Sequence, residues 1–460
     1  RRKHIFVKDS SQEAQQIEAN TRTIPGIISQ RGCAFAGCKG VVVGPIKDMV
    51  HIVHGPIGCA FYTWGVRRNK ARTEDPTKNF LNYSVCTDMQ ESDIVFGGEK
   101  KLAQMIDEVV EIFKPAAISI CATCPIGLIG DDLGAVAKEA EKKHGIQILH
   151  FNCEGYKGVS QSAGHHIANN NLMERVIGTG ELTEAPGEYS VNLLGDYNIG
   201  GDAWEIERVL NEIGYTVVTT MTGDCSYEDL KNAHAADLNL VQCHRSINYI
   251  AEMLETKYGI PWLKVNFIGV EATIQSLRDM AQCFGDEALI RKTEEVIARE
   301  IAETNPAMEK LKKVCEGKTA FCLVGGSRGH HYQALFADLG IETVAAGYEF
   351  AHRDDYEGRK VIPFIKTDAD SKNIPDLHVD AHPTQYRLRM SPEKYAELKE
   401  KIPALGNYEG MVPDMKDGHV LVDDYGHHEC EELIKLMKPD IFASGIKDKY
   451  VIQKMGIPSK

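Results

Sequence analysis

The sequence predicts an α/β protein with mainly parallel sheets, and three observations predict it. Short apolar runs alternate with amphipathic helical stretches, the rhythm of βαβ units. Several helical stretches stop at a glycine, at Gly145, Gly214, Gly259 and Gly340, a common helix end. Each apolar run is followed by a loop rich in glycine or polar residues, as at the carboxyl ends of strands in Rossmann-like units, where ligands sit.

The runs 116–121, 191–194, 238–242, 320–324 and 440–443 read as strands, and the segments 132–142, 203–213, 247–258 and 331–339 as helices. At about 150 residues per domain, 460 residues divide into three Rossmann-like domains, 1–185, 186–316 and 317–460. Residues 359–407 break the rhythm: they are charged and proline-dotted, with one clear helix start at Ser391-Pro392-Glu393, and read as a surface insertion.

Composition excludes several classes of function. The 52 basic residues against 66 acidic ones leave a net charge of −14. A general nucleic-acid binder or a polybasic membrane-surface protein would carry the opposite sign. No apolar run reaches the roughly 18 to 20 residues of a membrane span, and no signal peptide opens the chain, which begins at Arg1. The 13 cysteines are odd in number and spread over a long chain, which excludes a small disulfide-stapled scaffold. In a cytoplasmic protein they are buried thiols, metal ligands or catalytic groups. Neither G-x-x-x-x-G-K-S/T nor G-x-G-x-x-G follows a strand, so any nucleotide energy comes from another chain.

The loops after the strands carry the chemistry. They hold Cys124-Pro-Ile-Gly127, Gly195-Asp196-Tyr197, Cys243-His244-Arg245-Ser246, Gly325-Gly326-Ser327-Arg328, Gly347-Tyr348-Glu349-Phe350 and Ser444-Gly445-Ile446-Lys447. Cys33, Cys59 and Cys124 all sit in glycine or proline turns near aromatic residues. Such backbone lets a cluster approach and offers amide donors to its sulfurs. Their spacing matches no local ferredoxin or zinc pattern, so the fold must assemble any site. Three thiolates are one short of a four-cysteine cluster, which leaves room for ligands from a partner. Each also suits a buried structural thiol. Cys121 and Cys124 form a C-x-x-C, a possible redox pair, but Cys121 lies inside its apolar run and reads as sheet packing.

Cys243 ends a strand beside His244 and Arg245, a setting for a metal ligand or nucleophile. Gln161 and His165 are four apart and share a helix face, and His165 suits proton transfer near neutral pH as well as packing. Arg67-Arg68, Arg328 and Lys447 would serve a large anionic ligand between sheets; Arg67-Arg68 alone equally reads as a solvated pair. Cys38, Cys86, Cys153, Cys225, Cys283, Cys315, Cys322 and Cys430 read as structural.

Taken together, R-G-C-A-F-A-G, H-G-P-I-G-C, C-P-I-G-L-I-G-D-D, C-E-G-Y-K-G-V-S-Q-S-A-G-H-H, G-D-Y-N-I-G-G-D-A-W, Q-C-H-R-S and G-Y-E-F-A-H resemble the α-subunit family of nitrogenase molybdenum-iron proteins, within nitrogenase component 1. The likeness runs along nearly the whole chain, and the 359–407 insertion resembles that of the clostridial type. It implies metal clusters between domains and at a subunit interface. Cys33, Cys59 and Cys124 match the α-side ligands of the P-cluster, an 8Fe–7S cluster shared with a β subunit in an α2β2 heterotetramer. Cys243 matches the thiolate ligand of the iron-molybdenum cofactor, 7Fe–9S–C–Mo with homocitrate. Val41 matches a residue shielding the face where substrate binds. Arg67, Gln161, His165, Tyr197, Arg245, Ser246, Gly325, Gly326, Arg328, Glu349, Phe350 and Lys447 match the cofactor's polar and packing shell, with Gln161 and Lys447 near homocitrate and His165 near a sulfide.

The implied activity is reduction of dinitrogen to ammonia with hydrogen evolution, using electrons from a separate ATP-hydrolysing iron protein. The family's molybdenum-binding histidine lies farther past the matching lysine than Lys460 lies past Lys447, so that ligand is expected beyond the last residue, in a longer chain. Vanadium and iron-only relatives typically carry lysine at Arg67 and a T-G-G-P-R pattern near Ser327, so the likeness favours the molybdenum form. The alternative is a non-catalytic scaffold for cofactor maturation, which Gln161, His165 and Lys447 disfavour. A tetrapyrrole-type reductase would lack the Cys243 and His165 segments.

Overall fold

The computed structural model describes residues 4–12, 17–19, 32–66, 69–73, 75–158, 160–325, 328–349, 351–364, 374, 377–444 and 449–459. After a short β1 (Ile5–Val7), β2 (Met49–His54), β3 (Val85–Cys86), β4 (Ala117–Ala122) and β5 (Gln147–Phe151) form one parallel sheet in the order β3-β2-β4-β5. β6 (Ser190–Asp196), β7 (Thr216–Thr222), β8 (Leu238–Val241) and β9 (Trp262–Lys264) form a second, ordered β7-β6-β8-β9 and also parallel. β10 (Thr319–Val324), β11 (Glu342–Tyr348), β12 (Val420–Asp423) and β13 (Ile441–Ser444) form the third, ordered β12-β11-β10-β13. Helices cover the sheets, so β2, β4 and β6 are buried along their whole length. That burial explains why these strands read as continuous apolar runs rather than alternating ones.

The strands expected from the sequence fall within a residue or two of those observed. Two helices begin earlier than their apolar period suggests. One is His244–Tyr258 rather than 247–258, the other Arg328–Asp338 rather than 331–339. In both, the first turn leaves the end of a strand and carries polar residues toward a neighbouring sheet, which hides the helical period.

Two further differences concern organisation. β1 does not join the nearest sheet in sequence: it runs antiparallel to β12 through Ile5↔Val422 and Val7↔Val420. It covers the exposed edge of the third sheet, so residues 4–12 pack apart from the rest of segment 1–185. Segment 359–407 is not confined to the surface either. Its helix Pro392–Lys401, capped by Ser391 as the sequence predicts, buries Leu398, and Ile402 and Leu405 follow it into the core over the second sheet. Leu405 bridges Leu263 of β9. Among the described residues, no helix is long and apolar enough to cross a membrane.

Candidate functional site

Two thiol-bearing regions emerge. In the first, Cys124 opens the helix Cys124–Ile129 directly after β4, with Thr123 and Pro125 setting its first turn. Cys59 lies in the helix Ile57–Val66 that follows β2, and Cys33 precedes the π-helix Ala36–Val43. Gly155 holds the group together. A Cβ built there would lie 3.0 Å from the Cys124 Sγ and 3.5 Å from the Cys33 Sγ, so only glycine lets both sulfurs close over this backbone. Burial, and then the charges of Cys33 and Cys124, push the Cys59 thiol up. Three thiolates this close repel one another unless a cation sits among them.

Cys33 and Cys59 are exposed and Cys124 half-buried. Ile57, Phe61, Tyr62, Leu128 and Tyr156, on the same segments, are also exposed, Leu128 by 79%. An apolar collar around open thiols is a surface made to be covered. Soft sulfur donors without a competing carboxylate ligand fit an iron–sulfur cluster of which this chain supplies one side.

The second region is buried and lies where the carboxyl ends of the second and third sheets meet. Cys243, 6% exposed, is the N-cap of the helix His244–Tyr258 after β8. Gly195, near the end of β6, permits its position: φ is +83°, and a Cβ there would lie 2.8 Å from the Cys243 amide nitrogen. Asp196 receives a 2.9 Å hydrogen bond from Arg328, the first residue of the helix after β10. Although burial opposes it, Asp196 and then Cys243 hold the Arg328 guanidinium above its ordinary range. Lys264, the last residue of β9, buries its ammonium against the carbonyls of Gln242 and Val265 and lies 2.7 Å from His331 Nε2. Burial lowers its pKa to about 7, partly offset by the nearby Cys243. The buried Gln242 Nε2 finds no acceptor among the described residues. A buried thiol flanked by two cations and an unused amide donor fits a large anionic metal–sulfur group ligated through one thiolate.

Arg245, expected in the polar and packing shell, is engaged by carboxylates of the same chain. It is fully buried, and its guanidinium is held by Asp355 at 2.7 Å, Asp354 at 2.5 Å and His352 at 3.0 Å. Asp355 also binds His244 at 2.7 Å. Arg245 thus anchors the helix behind Cys243 to the third sheet. Ser246 Oγ donates back to the Cys243 carbonyl.

Val41, in the π-helix, and His165, in the helix Ser162–Arg175, are both buried. These two helices pack without side chains between them at their crossing. A Cβ on Gly164 would lie 1.9 Å from the Ala34 carbonyl oxygen, and one on Gly37 1.9 Å from that of Gln161. The Gln161 amide oxygen lies beside Gly32. Tyr197 and Glu349 are buried just past β6 and β11, and Gly325 follows β10. Arg67, Gly326, Phe350 and Lys447 lie outside the described residues.

Sequence reasoning missed Lys264, Asp196 and the Asp354–Asp355 pair. Lys264 carried a legible signal, a lysine closing a short strand, the same placement that singled out Arg328 and Lys447. It also missed a third thiol group: Cys38, Cys121 and Cys153, each read as structural, have Sγ atoms within 4.8 Å of one another.

Comparisons with known proteins identify the family. The family model for nitrogenase component 1 type oxidoreductases matches residues 33–460. The nitrogenase molybdenum-iron protein alpha chains of Methanosarcina barkeri and Clostridium pasteurianum are each 58% identical to this chain. Their alignments cover 100% and 99% of it, and 86% and 85% of the relatives. The corresponding chain of Azotobacter vinelandii is 41% identical over 100% of this chain and 83% of its own length. The solved structure of nitrogenase Cp1 at pH 6.5 superposes with a TM-score of 0.96 at 58% identity, covering 100% of this chain and 88% of that one. Matched along residues 33–460 and sharing that structure's fold, the chain belongs to the nitrogenase component 1 type oxidoreductases.

Proposed function

We propose that this chain is the catalytic α subunit of a cytoplasmic molybdenum nitrogenase, reducing dinitrogen to ammonia with hydrogen evolution. The family and the names of relatives 58% identical along the whole chain support the activity. The observation that carries the reading is the division of the thiols: Cys33 and Cys124 against Gly155, with Cys59 beside them at an open apolar collar, and one, Cys243, buried between two sheets.

Cys33, Cys59 and Cys124 would hold the α side of a P-cluster, with a β subunit covering the collar and supplying the remaining ligands of an α2β2 assembly. Cys243 would ligate the iron-molybdenum cofactor, whose homocitrate carries further negative charge. When bound, that group supplies the multi-electron redox chemistry at which dinitrogen is reduced. Electrons arrive from an ATP-hydrolysing iron protein, in keeping with the lack of a phosphate loop here.

The chain's own residues bind, orient and keep the region dry. Gly195 lets Cys243 stand at the end of its strand, and the Arg245 clamp fixes the helix it caps. Arg328, held by Asp196, and Lys264 give positive charge facing an anionic group. Lys264, with a pKa of about 7, changes charge near neutrality and can hold or release a proton at its Nζ. His165, buried in the helix Ser162–Arg175, is assigned proton delivery, and Gln161 and Lys447 contact with homocitrate. Val41 is assigned to the face where substrate binds. Arg67, Tyr197, Ser246, Gly325, Gly326, Glu349 and Phe350 complete the assigned shell.

Metal analysis and acetylene reduction with purified partner proteins test the reading. The expected result is molybdenum and iron in the assembled protein and reductase activity that Cys243→Ala abolishes, with molybdenum lost and the interface cluster kept. Bound cofactor without reductase activity would instead indicate a maturation scaffold.

A further inference from the structure

Cys38, Cys121 and Cys153 belong to neither region. Cys38 comes from the π-helix Ala36–Val43, Cys121 from β4, and Cys153 from just past β5. All three are fully buried, and their Sγ atoms lie within 4.8 Å of one another. Three separate elements thus aim a thiol at one point, which packing of small apolar side chains does not require. The surrounding core is apolar, with Phe35, Met49, Val53, Leu149 and Phe151 in the same cluster.

The polar neighbours follow the same logic. Lys39 is 8% exposed and exerts its charge on Cys121. His51 is also buried, but its ring is taken up by Ser119 Oγ at 2.7 Å and the Ile46 carbonyl at 3.0 Å. Burial opposes ionisation of Cys121. Hydrogen bonds from Cys153 and Cys38, then the Lys39 charge, overcome it and hold that thiol well below its usual range. Cys38 and Cys153 are correspondingly raised.

We propose that Cys38, Cys121 and Cys153 form a three-thiolate site for one soft cation of the Cu(I) class. Thiolates without carboxylate or imidazole donors select such ions. Metal–sulfur bonds of about 2.3 Å put the sulfurs of a trigonal site about 4.0 Å apart, inside the observed limit. Each neutral thiol that becomes a ligand gives up its proton, so binding releases protons and tightens as pH rises. Lys39 offsets the anionic charge left on the complex.

The test uses the assembled protein with its clusters in place. It is equilibrated anaerobically with Cu(I) buffered by a competing chelator, passed through a desalting column and crystallised. The expected result is about one tightly held copper per α chain, with sulfur-only coordination at the copper edge. An anomalous peak at the copper edge should lie between the three sulfurs. Cys121→Ser and, separately, Cys38→Ser should each reduce retention by more than about tenfold while leaving iron content unchanged. No retained copper, or an anomalous peak only at other thiols, overturns the proposal even without a variant. So does equal retention in wild type and both serine variants.

Discussion

Arg245 shows how a single buried charge is made tolerable. Its guanidinium lies wholly inside the protein, and two carboxylates and an imidazole meet it at 2.5 to 3.0 Å. A pair this deep adds little net stability over apolar residues of the same shape, but breaking one side leaves an uncompensated charge. Asp355→Ala is therefore expected to lower unfolding free energy by about 3 to 5 kcal/mol, measured by denaturant unfolding of the cofactor-free chain. Arg245→Met combined with Asp354→Asn and Asp355→Leu, which leaves none of the three buried charges behind, should recover most of that loss. A triple variant as unstable as Asp355→Ala would mean that packing, not unpaired charge, sets the cost. The sequence shows Arg245 as a cation beside a thiol, and that much was legible. Its true partners lie 109 and 110 residues away, a pairing that no local pattern encodes. Lys264 was legible in principle, because it closes a strand as Arg328 opens the helix after one, yet its burial depends on the third sheet folding over it.

At the scale of elements, the decisive contact is the crossing of the π-helix Ala36–Val43 with the helix Ser162–Arg175. Gly37 and Gly164 let their backbones touch, and in both cases the obstructing atom for an added methyl would be a carbonyl oxygen 1.9 Å away. Backbone cannot move aside as the end of a flexible side chain can. Gly164→Ala should therefore cost about 1 to 3 kcal/mol or more, read as a lowered Tm. It should also lower both iron and molybdenum content, because Cys33 precedes one helix while His165 sits on the other. A variant that lost stability but kept full occupancy of both metals would show that the crossing supports the fold alone. Strands and glycine stops were read correctly from apolar runs and helix ends, since burial on both faces leaves a plain signature. The polar first turns of His244–Tyr258 and Arg328–Asp338 were read as loops for the reason that makes them useful: their residues serve a site instead of a core. Gly155→Ala tests the outer thiols in the same way. Its Cβ would press on Cys124 Sγ at 3.0 Å, and loss of the interface cluster with Cys243-bound molybdenum retained is the expected outcome.

Across the whole molecule, three mainly parallel sheets bring polar strand ends together inside a large body, so histidines are buried where water cannot reach them. His166 packs beside Tyr249, and burial, then the Arg245 charge, lowers its pKa from 6.5 to about 3. In the first sheet, burial and then Lys39 lower His51 to about 4. Both are neutral in the fold and would be protonated in the unfolded chain below 6.5. Between these values the unfolded state binds more protons, so stability rises with pH. The contribution is complete above about 6.5 and is lost as pH falls toward 4 and then 3. Each histidine adds a slope of at most about 1.4 kcal/mol per pH unit. Denaturant midpoints of the cofactor-free chain should thus fall steadily from pH 7 to pH 4.5, before most carboxylates titrate. His166→Gln removes one of several histidines that burial holds below 6.5, His244, His330 and His331 among them, and although it changes absolute stability, the diagnostic quantity is the slope, which should become shallower by at most about 1.4 kcal/mol per pH unit. A variant whose midpoints fall in parallel with wild type across that range would show that His166 is not kept neutral by the fold, and that the acid sensitivity arises elsewhere.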